Sequence, residues 1–166
     1  MVITMNRIDK KLIFLILLAI ALICSTSCML SYNFIKLRIQ CMSKNGYTWY
    51  SNIVVSQPLL INVSFIHSVH RVPEHDIVIL RGRNFYLWEV WVQAFGAGVP
   101  LTPNDVGGGY LEFHEDFVVF KDIGKYIGKK LILDMSNAIY MSVEIDDFLV
   151  ITKPMCQGVL IIEIRD

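Results

Sequence analysis

Charge is scarce in this chain and evenly balanced. Only 18% of the 166 residues are Asp, Glu, Lys or Arg, and fifteen basic residues meet fifteen acidic ones, so the formal net charge is zero. From residue 31 onward the count is twelve basic to fourteen acidic. A chain with no basic stripe cannot neutralise a run of phosphates, which excludes nucleic acid as a partner. No Cys-x-x-Cys pair exists, so structural zinc has no support. Neither Phe95-Gly96-Ala97-Gly98-Val99-Pro100 nor Gly107-Gly108-Gly109 is followed by Gly-Lys-Ser/Thr or by a helical pattern, so neither reads as a phosphate loop. No Gly-x-Ser-x-Gly elbow surrounds a serine. Together these absences leave no catalytic motif, no cofactor and no metal to assign. Internal repeats and linkers are also missing, so residues 36–166 read as one domain, large enough to bury a core.

What is present starts with an uncharged run from Leu12 to Ile35, preceded by Arg7, Lys10 and Lys11. The wholly apolar part, Leu12 to Cys24, would rise about 20 Å as a helix, short of a hydrocarbon core of about 30 Å. Continuing through the hydroxyl residues Ser25, Thr26 and Ser27 to Leu30 gives about 28 Å, and serine or threonine on a helix is tolerated in lipid. The expected organisation is therefore a short basic cytoplasmic head (1–11), a transmembrane anchor or signal segment (12–35) and an extracytoplasmic domain (36–166). Basic residues ahead of an apolar core set that orientation. Ser25 and Ser27 leave cleavage before Cys28 as the alternative fate. Membrane lipid is thus the first expected partner, and a single-pass place in the cell membrane the expected location.

Past the anchor the hydrophobic period is two rather than 3.6, which is the pattern of strands. Strands are expected at Leu59–His67, Asp76–Leu80, Asn84–Phe95, Ala138–Ile145 and Gly158–Arg165, with a hairpin over Tyr110–His114 and Phe117–Lys121 turning at Glu115-Asp116. In the aromatic segment Tyr86, Trp88, Val90 and Val92 are expected on one face, with Phe85, Leu87, Glu89, Trp91 and Gln93 on the other. Turn residues recur every eight to twelve positions, which points to an all-β fold, a small antiparallel sandwich or barrel behind one N-terminal transmembrane helix. No amphipathic helix is expected in the domain, and Ile123–Leu131 has no clear pattern. Cys41 and Cys156 lie near the two ends of the domain. Outside the cell they can pair; the alternative is two separate buried thiols.

The densest polar stretch is His67-Ser68-Val69-His70-Arg71-Val72-Pro73-Glu74-His75-Asp76. Three histidines with two carboxylates suggest a metal, but on a strand His67 and His70 face opposite sides, so a polar turn is the simpler reading. A triad of Ser68, His75 and Asp76 lacks the elbow and rests on adjacency alone. Residues 96–109 form a glycine- and proline-rich excursion suited to docking. Trp91, on the strand before it, is a candidate contact residue.

Phe65-Ile66-His67-Ser68-Val69, then Pro73, Glu89 and Phe95-Gly96-Ala97-Gly98-Val99-Pro100, in this order, resemble domain of unknown function family 1850. Its members carry an x-His-Ser-Val segment, a nearby proline, an acidic residue and a later Phe-Gly-Ala-Gly turn. The likeness covers roughly Leu59 to Ile145. On it His67, Ser68, Pro73, Glu89, Gly96 and Gly98 match the pattern, and Asp76 stands where the family has a downstream acidic residue. His70 and His75 depart from it. The resemblance implies a small membrane-anchored protein encoded beside TAXI-type TRAP transporters, and it brings no established activity. The expected function is a non-catalytic accessory or interaction protein of such a transporter, meeting its membrane subunits or solute receptor through His67, Ser68, Pro73, Asp76, Glu89, Trp91, Gly96 and Gly98. The alternative is a small-ligand or metal-binding module, enzymatic or not, centred on His67 with Glu89 or Asp76. In a third reading the motif residues only fix a strand turn.

Overall fold

A computed structural model of the protein describes residues 10–32, 34–46, 48–66, 71–93, 100–146 and 148–165. The chain divides into two compact units between Phe34 and Ile35. The first holds helix α1, Lys10–Tyr32. Its side chains from 13 to 25 are all exposed, Phe14, Leu17, Leu22 and Ile23 among them. The Ser25 hydroxyl donates to the Leu22 carbonyl at 2.8 Å, so its polar group is satisfied within the helix.

The transmembrane helix expected from the sequence is not found in that form. The helix stops at Tyr32, and Phe34 and Ile35 open the first strand. Among the described residues no helix is long and apolar enough to cross a membrane. The reason is length: the unbroken apolar run ends at Cys24, about 20 Å after it starts, and a hydrocarbon core is about 30 Å thick.

The second unit is built of antiparallel strands. A four-stranded sheet has the order β2 (Thr48–Ser56), β1 (Phe34–Ser43), β12 (Gly158–Arg165), β9 (Lys130–Asp134). An eight-stranded sheet runs β11 (Leu149–Thr152), β10 (Met141–Ile145), β3 (Leu59–Ile66), β4 (Pro73–Arg81), β5 (Asn84–Val92), β7 (Val118–Lys121), β6 (Tyr110–Phe113), with β8 (Lys125–Gly128) also paired to β5. Alternation decides which face is buried. Leu37, Ile39, Leu160 and Ile162 from the small sheet meet Leu59, Ile61, Val78, Leu80, Phe85 and Val143 from the large one in a single core. This is a β-sandwich, as the period-two pattern predicts. Strand β10 starts at Met141, later than expected, and Ile139 lies outside it, 53% exposed. Among the described residues of this unit the one helix, α2 (Pro103–Val106), is a single turn started by Thr102 and Asp105.

Cys41 and Cys156 form a disulfide with Cα atoms 5.7 Å apart, joining β1 to the turn before β12. The reading as two separate thiols is therefore set aside. The bond lies in the same core, where both residues are buried.

Strand β5 corrects the expected facing of its side chains. Leu87 pairs with Val78 and Glu89 with Ile77, so Trp88 is an extra residue, a β-bulge. Beyond it the phase reverses: Phe85 and then Val90 and Val92 face the core, while Tyr86, Glu89 and Trp91 lie on the other side. The neighbouring chain breaks at the same point. Strand β7 pairs with Val90–Val92 and β8 with Phe85–Leu87, and the Ile123 amide between them donates to the Trp88 carbonyl at 3.1 Å.

Candidate functional site

The hairpin of β3 and β4 and the strand β5 carry Phe65, Ile66, Pro73, Asp76 and Glu89 of the family-like pattern. Ile66, the last residue of β3, pairs with Pro73, the first of β4. The Gln93 amide, just past β5, donates to the Pro73 carbonyl at 3.4 Å. The segment after Ile66 and the segment after Gln93 therefore leave the same end of the same sheet, around Pro73. His67, Ser68, Gly96 and Gly98 belong to these segments and lie outside the described residues.

Below this end, β4 puts two carboxyls on the core-facing side. Glu74 is in line with Phe65, Val92 and Val118, and Asp76 with Val63, Val90 and Phe120. Their surroundings are apolar: the main core on one side, and a smaller cluster of Val90, Val92, Val106, Val118, Phe120 and Ile123 on the other. Glu74 is buried. The Asp76 Oδ1 atom is fully buried and has no hydrogen-bond partner among the described residues. Burial raises the Glu74 pKa from 4.5 to about 7. Burial, with the Glu74 charge adding to it, raises that of Asp76 from 3.8 to about 7. Desolvation penalises the ionised form, and a second carboxylate nearby adds repulsion. Near neutral pH the pair holds protons that ordinary carboxyls have lost.

Residues two apart on a strand share a face, and residues one apart do not. His75 therefore points away from Glu74 and Asp76. Its Nδ1 lies 2.8 Å from the hydroxyl of Ser64, its register partner on β3. That hydroxyl also lies 3.3 Å from the Asn62 Oδ1 that it can donate to instead. The His75 ring meets Phe117 edge-on, and burial lowers its pKa. Trp91 lies opposite His75, stacked on His114 at 5.7 Å, and its indole N–H donates to Glu89 Oε2 at 2.8 Å.

The geometry sorts the candidate residues. Asp76 and Glu89 are on opposite faces of the sheet. His75 and Asp76 are separated in the same way, which removes the Ser68–His75–Asp76 triad. Asp76 stands near the motif end on the core side; Pro73, Glu89 and Trp91 are on the outer side, where Trp91 and Glu89 bond to each other. Among the described residues no group of three or more His, Cys, Asp or Glu could hold a metal ion. Two features escaped sequence reasoning. The Ser64–His75 pair depends on strand register, which the sequence does not print. Glu74 had a readable signal, its spacing of two from Asp76 within an apolar strand.

Fold and site together define a disulfide-closed β-sandwich with a motif-bearing end above two buried acids. A family model described as a domain of unknown function (DUF1850) matches residues 61–147, from within β3 to just past β10, and the chain belongs to that family. Comparisons with curated proteins and with solved structures find no match.

Proposed function

We propose that this chain is a membrane-held, extracytoplasmic interaction domain, without catalysis of its own, that serves a TAXI-type TRAP solute transporter. The observation that carries the reading is the convergence around Pro73 of the two segments bearing the family motifs. Ile66 and Gln93, which precede the two motif segments, both meet Pro73 at one sheet end, and loops on a rigid scaffold are where binding is built. Trp91, half-buried on the outer side of that end, supplies an aromatic contact of the kind enriched at interfaces. The transporter assignment rests on the family resemblance.

Helix α1 supports membrane attachment. A helix apolar on every face, with its side chains from 13 to 25 exposed, needs apolar surroundings. The Cys41–Cys156 bond supports an oxidising compartment, where such bonds form and persist. A second reading, a small-ligand module at this end, is favoured by one observation, the unpartnered Asp76 Oδ1.

The test is affinity purification of the tagged full chain from its native membrane, with mass spectrometry of what accompanies it. Recovery of TRAP membrane subunits or a solute receptor, reduced by Trp91→Ala, is the expected outcome. A chain that fractionates away from membranes, or purifies without either component, overturns the accessory reading.

A further inference from the structure

At the opposite end of β4 and β5 from the motif segments, a cleft of about 740 Å³ opens on the outer face of the large sheet. Its walls include Ile79, Arg81, Asn84, Tyr86, Trp88 and Gly124. The volume is in the range of small-molecule sites, about 300–1,000 Å³. The cleft exists because two irregularities coincide. Trp88 is the extra residue of the β5 bulge, and bulges re-aim side chains, often beside binding sites. Beside it, Asp122 and Gly124 have φ of 53° and 62°, which turns the chain between β7 and β8. Nothing lies within 4 Å of where a Cβ would stand at Gly124, so this wall is bare backbone facing open space.

The polar groups at this cleft are donors in search of an acceptor. Arg81 is exposed and has no ion pair among the described residues. The Asn84 Oδ1 accepts the Tyr126 hydroxyl at 3.4 Å, which leaves the amide N–H groups to donate. The Trp88 indole N–H has no partner among the described residues. No carboxylate is among the lining residues. Tyr86 is held edge-to-face against Tyr126 at 5.7 Å, so its ring is a fixed wall. Two aromatic rings and Ile79 offer apolar area to whatever the donors hold.

We propose that this cleft binds a small organic anion: a carboxylate held by Arg81, on a flat or apolar body that packs against Trp88 and Tyr86. A planar guanidinium fork matches a carboxylate in two parallel hydrogen bonds, which an ammonium cannot do. The site is independent of the motif end and of any transporter partner.

The experiment uses the full chain in lipid nanodiscs, with phenylacetate as the probe and empty nanodiscs as the blank. Calorimetry and tryptophan fluorescence read binding. Saturable binding is expected at up to millimolar phenylacetate, with a fluorescence change that Trp88→Phe removes. Arg81→Met should weaken binding by about tenfold or more, and uncharged phenylacetamide should bind wild type about tenfold more weakly than the acid. Arg81→Lys, which keeps the charge and loses the fork, should fall between the two, and the melting temperatures of the variants should stay at the wild-type value. No saturable binding, equal affinity in Arg81→Met, or equal affinity for the amide overturns the proposal.

Discussion

Replacing Asp76 with Asn tests whether the core of this sandwich holds protonated acids at neutral pH. The folded-state pKa of Asp76 is raised from 3.8 to about 7, and that of Glu74 from 4.5 to about 7. Well below the unfolded values of 3.8 and 4.5 both folded and unfolded chains hold these protons, and stability carries no penalty. As pH rises above the unfolded values, the unfolded chain releases protons that the folded chain keeps, so stability falls. The fall continues until the folded groups ionise, near pH 7. At 1.36 kcal/mol per unit, a shift of about three units makes the loss on the order of 4 kcal/mol for Asp76 alone. The shift of Glu74 adds to it by less than its full amount, because part of the Asp76 shift is repulsion between the two. Against a total stability of about 5–15 kcal/mol this is a large fraction.

The assay is thermal unfolding of the oxidised full chain at pH 5, 6, 7 and 8, followed by circular dichroism. The part of the loss that falls between pH 5 and the folded pKa near 7 is about two units, or about 3 kcal/mol, and lowers the melting temperature by roughly 10 °C across the series. Asn cannot ionise, so Asp76→Asn should flatten the profile. Its amide brings two N–H groups into an apolar site at a cost of about 1–3 kcal/mol each if unpaired. The variant should therefore start below wild type at pH 5 and approach or cross it by pH 8. A wild-type profile that is flat or rises over this range, or an Asp76→Asn profile parallel to wild type, refutes the reasoning.

Three other outcomes follow from the geometry. Cys41→Ala with Cys156→Ala opens a link between residues 115 apart, and chain entropy puts the loss at about 4–5 kcal/mol, to be measured by denaturant titration beside a free-thiol count. In His75 the lowered pKa means that the folded imidazole resists protonation, so its contribution to stability is lost as pH falls below the unfolded value of 6.5, the opposite direction to the acids. An NMR titration should give a midpoint below that value, and one at or above it contradicts the burial of the ring. At Gly158 an added Cβ would stand 1.9 Å from the Met42 carbonyl oxygen, so Gly158→Ala must push β1 and β12 apart, at about 1–3 kcal/mol or more by chemical denaturation. A neutral result would show that this strand pair has room to spare.

Much of the sandwich was legible because one physical signal, alternation, governs it. Leu59–Ile66 and Gly158–Arg165 alternate buried and open residues and were readable to within a residue or two. Strands β8 and β9 were not. Their stretch carries Gly124, Gly128 and three lysines, and Tyr126 and Ile132 stay exposed, so little of the period survives. The helix was legible as a helix; its expected span rested on Ser25, Thr26 and Ser27 being tolerated in lipid, and among the described residues no helix is long and apolar enough to cross a membrane. Of the described residues of the family-like pattern, Asp76 lies on the core face of the large sheet, and Pro73 and Glu89 lie on the other face. One inserted residue, Trp88, reverses the phase of everything after it, and no composition rule announces an insertion.

The places where local rules fail are themselves informative. A valine at 74 or 76 would suit the surroundings of Phe65, Val63, Val90 and Val92, and burying a carboxyl there costs stability near neutral pH. A regular β5 would close the gap between β7 and β8. Both departures are costly or disruptive to the sheet, and they stand on one strand pair, β4 and β5, the acids near its Pro73 end and the bulge at Trp88 in its middle. Violations of packing rules that persist in an otherwise consistent sequence are expected where function requires them. On that argument the β4–β5 ribbon carries two separate sites. The acids lie near Pro73 at one end, and the Arg81–Trp88 cleft runs from the bulge towards the other. If so, Asp76→Asn should leave phenylacetate affinity unchanged, and Arg81→Met should leave the pH profile of melting unchanged. Coupling between the two would mean that the ribbon works as a single site.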